Sequence, residues 1–176
     1  MEKLKFIGFH ATSKDNIDKI NKDGFIVNKK RNNEWLGYGI YVFLYKADAD
    51  SWARGTYYCK NNPVIIKCSL EVQEDKYLDL DNPEEKNAYE IYYKEVLNFM
   101  LENGKSMKFK SRHEAMCWGL NIYKKKNQID LIKYTFKNER TKNIMEYGNT
   151  KYGYEYNEVQ LCVSRNEVIV EKEICQ

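Results

Sequence analysis

The chain has 176 residues, 43% of them hydrophobic, and a formal net charge of +3 at pH 7. This length predicts one domain, residues 1–176, with a core of its own. No stretch approaches the ~20 apolar residues that span a bilayer, and no apolar run follows the opening Met-Glu-Lys-Leu-Lys as in a signal peptide. We therefore expect a cytoplasmic protein with no membrane partner.

Five cysteines are spread along the chain, and none of them stands in a Cys-x-x-Cys pair. An odd and dispersed set indicates reduced, packed thiols and signals neither a zinc site nor a redox motif. His113, Glu114 and Cys117 lack the second histidine of a metalloprotease helix. No metal is therefore predicted.

Strands are indicated by short runs of β-branched and aromatic residues. They are predicted, in chain order, at residues 4–10, 40–43, 63–70, 77–80, 131–136, 159–164 and 168–174. Residues 147–156, which contain two glycines and several tyrosines, predict a loop before the last pair of strands. Strands at both ends of the chain, with helices between them, favour the α+β class over an alternating parallel sheet.

Helices are indicated by their start and stop signals. Ser13 is typical of an N-cap and Gly24 of a C′ residue, which predicts a short helix between them. Residues 47–54 predict a second helix. Residues 82–85 (Asn-Pro-Glu-Glu) start a third, and Ser111 with Glu114 three residues later starts a fourth.

Gly37 and Gly39 lead directly into the strand at residues 40–43. Glycine permits a close approach of the backbone to a flat ligand, and Trp35 just upstream suits such a cleft. Tyr41 in this strand is equally explained as a core residue.

His10 and Thr12 lie where the first strand ends and the first helix begins. Such a crossing places side chains at the edge of a cleft, and the helix N-terminus offers unpaired N–H groups to an anion. A satisfied histidine at the strand end and a threonine within the helix cap remain the local alternatives.

Three motifs in order, Phe9-His10-Ala11-Thr12, Gly37-Tyr38-Gly39-Ile40-Tyr41-Val42-Phe43 and Glu158-Val159-Gln160, resemble those of the ADP-ribosyltransferase superfamily. The chain is most similar to its poly(ADP-ribose)-polymerase-like branch and to small bacterial toxin and phage-defence members. The resemblance implies a split, mixed and antiparallel β-sandwich core flanked by helices. It also implies an NAD-dependent transferase, a glycosyltransferase, that releases nicotinamide and uses no metal.

The resemblance also implies roles for the first two motifs. Tyr41 would stack on nicotinamide, and His10 would hydrogen-bond the ribose hydroxyls with Thr12 in support. The backbone of Ala11 would hold the carboxamide, while Gly39 and Trp35 would complete the NAD-binding set. Such a site needs a flat, fixed nicotinamide and an acceptor near the ribose, because cleavage passes through an oxocarbenium-like state.

Gln160 is expected to hold the third catalytic position, with Glu158 on the same strand face supplying charge or orienting the target. Relatives often carry glutamate at this third position, and many carry glycine where this chain has Ala11. A neutral glutamine stabilises a developing cation less than a carboxylate does, by ~3–4 kcal/mol if one electrostatic contact is lost. The enzyme is therefore expected to be slow, dependent on its target, or inactive.

The acceptor is expected to be a protein, RNA or DNA, and the basic stretch Lys29-Lys30-Arg31 keeps RNA in consideration. By resemblance alone, the chain would be a toxin or an anti-phage effector, with an inhibitory antitoxin as a further partner. Two alternatives stay open. One is a catalytically inactive module that binds a nucleotide or single-stranded RNA, and the other is an NAD glycohydrolase.

Overall fold

A mixed β-sheet with helices packed against it makes up the fold, in a computed structural model that describes residues 2–27, 34–56, 59, 62–147 and 150–175. Over residues 138–156 the description extends to the backbone alone. The strands are β1 (Lys3–Ser13), β2 (Ile40–Phe43), β3 (Pro63–Gln73), β4 (Tyr77–Asp79), β5 (Leu131–Tyr147), β6 (Thr150–Val163) and β7 (Ile169–Ile174). The helices are α1 (Ile17–Asp23), α2 (Lys46–Gly55), α3 (Pro83–Glu102) and α4 (Arg112–Asn127). The predicted basic segment Lys29-Lys30-Arg31 lies outside the described residues.

The described strands form a seven-stranded sheet in the order β4-β5-β6-β2-β1-β3-β7. Every neighbouring pair in that order is antiparallel except β4 and β5, which run parallel. The junction between β2 and β1 has a single residue pair, Phe9 with Phe43. The sheet is therefore nearly divided there into two halves.

Side chains from both halves meet in one core cluster. Val42 and Leu161 come from one half, Cys68 and Leu70 from the other, and all four are completely buried. The two halves thus face each other across a shared core. The predicted α+β class, with a split, mixed and mainly antiparallel sheet flanked by helices, is confirmed.

The predicted helix starts are confirmed by their capping bonds. The Asn82 side chain accepts a hydrogen bond from the Glu84 amide at 2.9 Å, and Ser111 Oγ accepts one from the Glu114 amide at 3.1 Å. Ser13 caps a short 3-10 turn that precedes α1. Gly24 ends α1 with a φ of 78°, a conformation that favours glycine.

The loop predicted at residues 147–156 is wrong for the residues that the structure describes, 147 and 150–156. β5 continues to Tyr147 and β6 begins at Thr150, so these residues belong to two long antiparallel strands, with the pair Ile144–Gly153 among them. The glycines suggested a loop, but tyrosines recurring at alternate positions from Tyr152 favour a strand. The sequence did not indicate a partner strand for these tyrosines. The part of β5 that pairs with them lies beyond the apolar residues from which that strand was predicted.

Candidate functional site

The junction between β1 and β2 opens a gap in the sheet. β1 pairs with β3 along its whole length, from Lys3 to Ser13, whereas it meets β2 only through Phe9 and Phe43. Because these strands are antiparallel, the residues after Phe9 in β1 face those before Phe43 in β2. Two of the three predicted motifs therefore flank the same gap.

His10 bridges this gap. Its Nδ1 lies 2.8 Å from the backbone oxygen of Tyr41, and its ring meets the Phe25 ring edge-on, with centroids 4.9 Å apart. A carbonyl oxygen can only accept a hydrogen bond, so Nδ1 carries the proton and donates it. This bond fixes the orientation of the imidazole relative to β2.

A hollow of about 100 Å³ lies at the gap. Four residues of the predicted NAD-binding set line it, namely His10, Thr12, Gly39 and Tyr41. Sequence analysis missed the other side of the hollow, which α1 and the segment after it supply. Its members are Asn16, Lys19, Ile20, Gly24, Phe25 and Ile26, with Ile40 from β2.

The missed residues combine polar and apolar groups. Asn16 Nδ2 donates to Thr12 Oγ1 at 3.1 Å, which ties the start of α1 to the end of β1. Asn16 and Lys19 are three residues apart, a spacing that places two side chains on one helical face. The sequence shows this spacing of Asn16 and Lys19. Because α1 is short, however, the sequence alone does not show which of its faces packs against the sheet.

Gly39 lies in this hollow at a point where the neighbouring strand leaves no room for a Cβ atom. A Cβ atom on Gly39 would lie 2.5 Å from Cys162 Sγ and 2.7 Å from the Val163 carbonyl oxygen. The close approach of β2 to β6 therefore requires glycine at this position, which gives the second glycine of the motif a structural reason.

Ala11 points away from the hollow. Its side chain is buried in a cluster with Phe43, Ala49 and Ile65, and its φ is not positive. Alanine in place of glycine therefore causes no backbone strain at this position.

The Tyr41 hydroxyl closes the glycine-containing turn that precedes β2. It donates to the Gly37 carbonyl oxygen at 2.8 Å and accepts from the Leu36 amide at 2.7 Å. Burial raises the pKa of this phenol above its usual range, so the group is neutral at physiological pH. The half-buried ring packs against the core cluster that contains Leu36.

Trp35 lies outside the lining of this hollow. Its ring stacks on His113 of α4, with centroids 4.7 Å apart and planes 8° apart. His113 in turn places its Nε2 2.9 Å from the Glu34 backbone oxygen. Among the described residues, no group of three or more His, Cys, Asp or Glu side chains could hold a metal ion.

Gln160 and Glu158 lie on β6, outside the lining of the hollow. Gln160 pairs with Phe43 of β2, two positions from Tyr41, so it is a diagonal neighbour of Tyr41 on the same sheet face. Its Nε2 donates a hydrogen bond to Glu158 Oε1. The third motif is therefore adjacent to the second one, across a strand pair.

A further carboxylate, which sequence analysis missed, lies beside this pair. Asp48 of α2 is 1% exposed, and in the part of the chain that the structure describes neither of its carboxylate oxygens has a hydrogen-bond partner. Burial, and secondarily the negative charge of Glu158, raises the pKa of Asp48 to about 6. An aspartate in the first turn of a helix is explained by the helix dipole, so the sequence contained no sign of this burial.

Fold and site together define an α+β protein with a split, mixed sheet, a hollow with polar and apolar walls at the split, and a glutamine hydrogen-bonded to a glutamate on the neighbouring strand. The chain is similar to the uncharacterized protein MJ0359 of Methanocaldococcus jannaschii, with 29% identity over 100 residues. The match covers 53% of this chain and 46% of that protein, so the chain spans about half the length of this relative. No protein-family model and no solved structure matches the chain.

The helices within the described ranges differ in length, and α3 is the longest of them. Neither α3 nor any shorter helix in them is both long enough and apolar enough to cross a bilayer.

Proposed function

We propose that this protein is an NAD-dependent ADP-ribosyltransferase that acts in the cytoplasm. The bond between ribose C1′ and the nicotinamide nitrogen breaks, and its electron pair leaves with neutral nicotinamide. A nucleophilic oxygen or nitrogen of a macromolecular acceptor then bonds to C1′ and releases its proton. A role as a toxin or anti-phage effector rests on the family resemblance alone.

The observation that carries the proposal is the gap between β1 and β2. Residues from two distant motifs meet there through the 2.8 Å contact between His10 Nδ1 and the Tyr41 backbone oxygen. The third motif follows on the next strand, where Gln160 pairs with Phe43. The proximity of the first two motifs supports a site for the nicotinamide-ribose half of NAD at this gap.

The size of the hollow limits what it can hold. An apolar cavity of ~150 Å³ accommodates benzene, so a hollow of about 100 Å³ takes one ring or one ribose at most. The remainder of NAD would extend past Lys19, whose ammonium suits a pyrophosphate. The apolar walls formed by Phe25 and Ile40 suit the flat face of a ring.

A binding module without catalysis is the second candidate. Gln160 is uncharged, and the Tyr41 hydroxyl already has two protein partners. Both observations favour recognition of ADP-ribose over its cleavage from NAD. An NAD glycohydrolase would differ from the transferase only in that water accepts the sugar.

The test is incubation of the purified chain with NAD labelled in the ADP-ribose half, in the presence of a cell lysate. Transfer predicts label on protein or nucleic acid together with released nicotinamide. Released nicotinamide and free labelled ADP-ribose indicate the glycohydrolase. No released nicotinamide, with measurable ADP-ribose binding, indicates the module.

His113 offers a matched control, because the chain has two histidines and this one lies outside the hollow. His10→Ala is expected to reduce nicotinamide release at least about tenfold, the value of one lost hydrogen bond of ~1.4 kcal/mol. His113→Ala is expected to leave the rate within about twofold once both variants are shown to be folded. Equal losses in the two variants would contradict the proposed site.

A further inference from the structure

The side chain of Asn166 bonds a part of the chain far from its own turn. Asn166 is the first residue of a short 3-10 turn, Asn166–Val168, that precedes β7. An asparagine in such a place usually bonds the backbone of its own turn. Both ends of the Asn166 amide instead bond Phe25, 141 positions earlier in the chain. The local turn therefore does not explain this side chain.

The two bonds satisfy both backbone groups of Phe25. Asn166 Oδ1 accepts from the Phe25 amide at 2.8 Å, and Asn166 Nδ2 donates to the Phe25 carbonyl oxygen at 2.9 Å. Residues 24–26 lie outside the helices and strands, so the partners of these groups have to come from elsewhere in the chain. A buried backbone group left unpaired is costly. Asn166 therefore fixes the segment after α1 at this point.

Two further contacts hold the same segment. Gly24 approaches Asn166 so closely that a Cβ atom on this glycine would lie 2.9 Å from Asn166 Oδ1. The ammonium of Lys172 in β7 donates to the Ile20 carbonyl oxygen. It also lies 5.9 Å from the centroid of the Phe25 ring, within the range of a cation–π contact. Residues near the end of the chain therefore hold the segment that follows α1.

The position of Phe25 matters for the hollow at the split of the sheet. Phe25 is 6% exposed and lines the hollow. Its ring meets the His10 ring edge-on, with centroids 4.9 Å apart, and such a contact depends on the orientation of both rings. A displacement of Phe25 would therefore change an apolar wall of the hollow and the surroundings of the imidazole together.

We propose that Asn166 is a positioning residue of the hollow. By bonding both backbone groups of Phe25, it keeps the Phe25 ring in the wall beside His10, and that ring gives the hollow its affinity for a flat aromatic ligand. This inference rests on the proposed function, in which the ligand is the nicotinamide ring of NAD. Asn166 lies outside the lining of the hollow, so it acts on the ligand only through Phe25.

The experiment follows the ring C–H signals of the two histidines by NMR while nicotinamide is added. His10 lies against Phe25 and His113 against Trp35, so His113 is an internal reference. Phe25→Leu keeps an apolar wall without the ring. It is expected to shift the His10 signals through loss of the ring current, and to weaken nicotinamide binding about two- to tenfold. Asn166→Ala is expected to shift the His10 signals as well and to weaken binding at least about twofold, with the His113 signals unchanged.

The double variant separates a positioning role from a merely structural one. If Asn166 acts through Phe25, Asn166→Ala should weaken nicotinamide binding no further in a chain that already carries Phe25→Leu. For the same reason, Asn166→Ala should raise the KM for NAD by a larger factor than it lowers kcat. Asn166→Asp keeps the shape of the side chain but sets a carboxylate oxygen against the Phe25 carbonyl oxygen, so it should act in the same direction without creating a cavity.

Asn127→Ala is the matched control. Asn127 Nδ2 also donates to a backbone oxygen, that of Tyr123 at 3.1 Å, at an exposed position outside the lining of the hollow. Thermal unfolding of every variant establishes that it is folded at the temperature of the binding assay. Unchanged binding in a folded Asn166 variant, or losses that add in the double variant, would overturn the inference and leave the proposed function intact. A wild-type chain that binds neither nicotinamide nor NAD would refute the proposed function, and this inference with it.

Discussion

Asp48→Asn is expected to stabilise the protein at neutral pH and to lose this advantage in acid. The reason is the raised pKa of the buried carboxyl, about 6 against its usual 3.8. Below 3.8 the group is protonated in both the folded and the unfolded chain. Between 3.8 and about 6 the folded chain alone keeps the proton, so the wild type loses stability as the pH rises through this window.

The magnitude follows from the width of that window. At about 1.4 kcal/mol for each pH unit, a window from 3.8 to about 6 corresponds to ~3 kcal/mol. The asparagine variant stays neutral at every pH. Its free energy of unfolding minus that of the wild type should therefore increase by ~2–3 kcal/mol between pH 4 and pH 7.5.

The assay is urea unfolding of both proteins at half-unit pH steps, in a reductant because none of the five cysteines forms a disulfide. Asp50→Asn on the same helix is the matched control. Asp50 pairs with Lys46 in a partly exposed ion pair, so its removal should change the free energy of unfolding by less than ~1 kcal/mol. A difference between Asp48→Asn and the wild type that stays constant from pH 4 to pH 7.5 would refute the reasoning.

Three further substitutions test individual contacts by the free energy of unfolding, two at residues that line the hollow and one at the start of α3. Gly39→Ala should cost ~1–3 kcal/mol, since its Cβ would lie 2.5 Å from Cys162 Sγ. Tyr41→Phe should cost ~1–3 kcal/mol because the buried Leu36 amide loses its acceptor. Asn82→Ala should cost ~1 kcal/mol through loss of the α3 cap.

Each of these substitutions has a control. The control either makes the same change where no contact is at stake or preserves the contact that the test variant removes. Gly55→Ala meets nothing within 4 Å and should not destabilise. Tyr45→Phe, at a residue 57% exposed, should stay within ~0.5 kcal/mol. Asn82→Ser retains a capping oxygen and should remain close to the wild type. Losses as large as in the test variants would contradict the assigned contacts.

Local signals predicted most of the elements correctly. The Asn82 and Ser111 caps and the stop at Gly24 each involve residues a few positions apart, so short-range hydrogen bonds and backbone geometry suffice to determine them. The prediction around Gly153 was wrong because it depends on contacts between residues that are far apart in the chain. Whether this tyrosine-rich segment is a strand depends on a partner contributed by β5.

The amino-acid sequence by itself determined the α+β class and the chain order of the motifs, because periodicity, caps and turn residues act over a few neighbours. The tertiary structure alone decided that β1 separates from β2 after one residue pair, that Lys19 and Phe25 complete the hollow, and that Trp35 stacks on His113 instead. It also decided that Asp48 is buried beside Glu158. Each of these features depends on which apolar surfaces, from distant parts of the chain, are buried against one another. Such burial is determined by the packing of the whole chain.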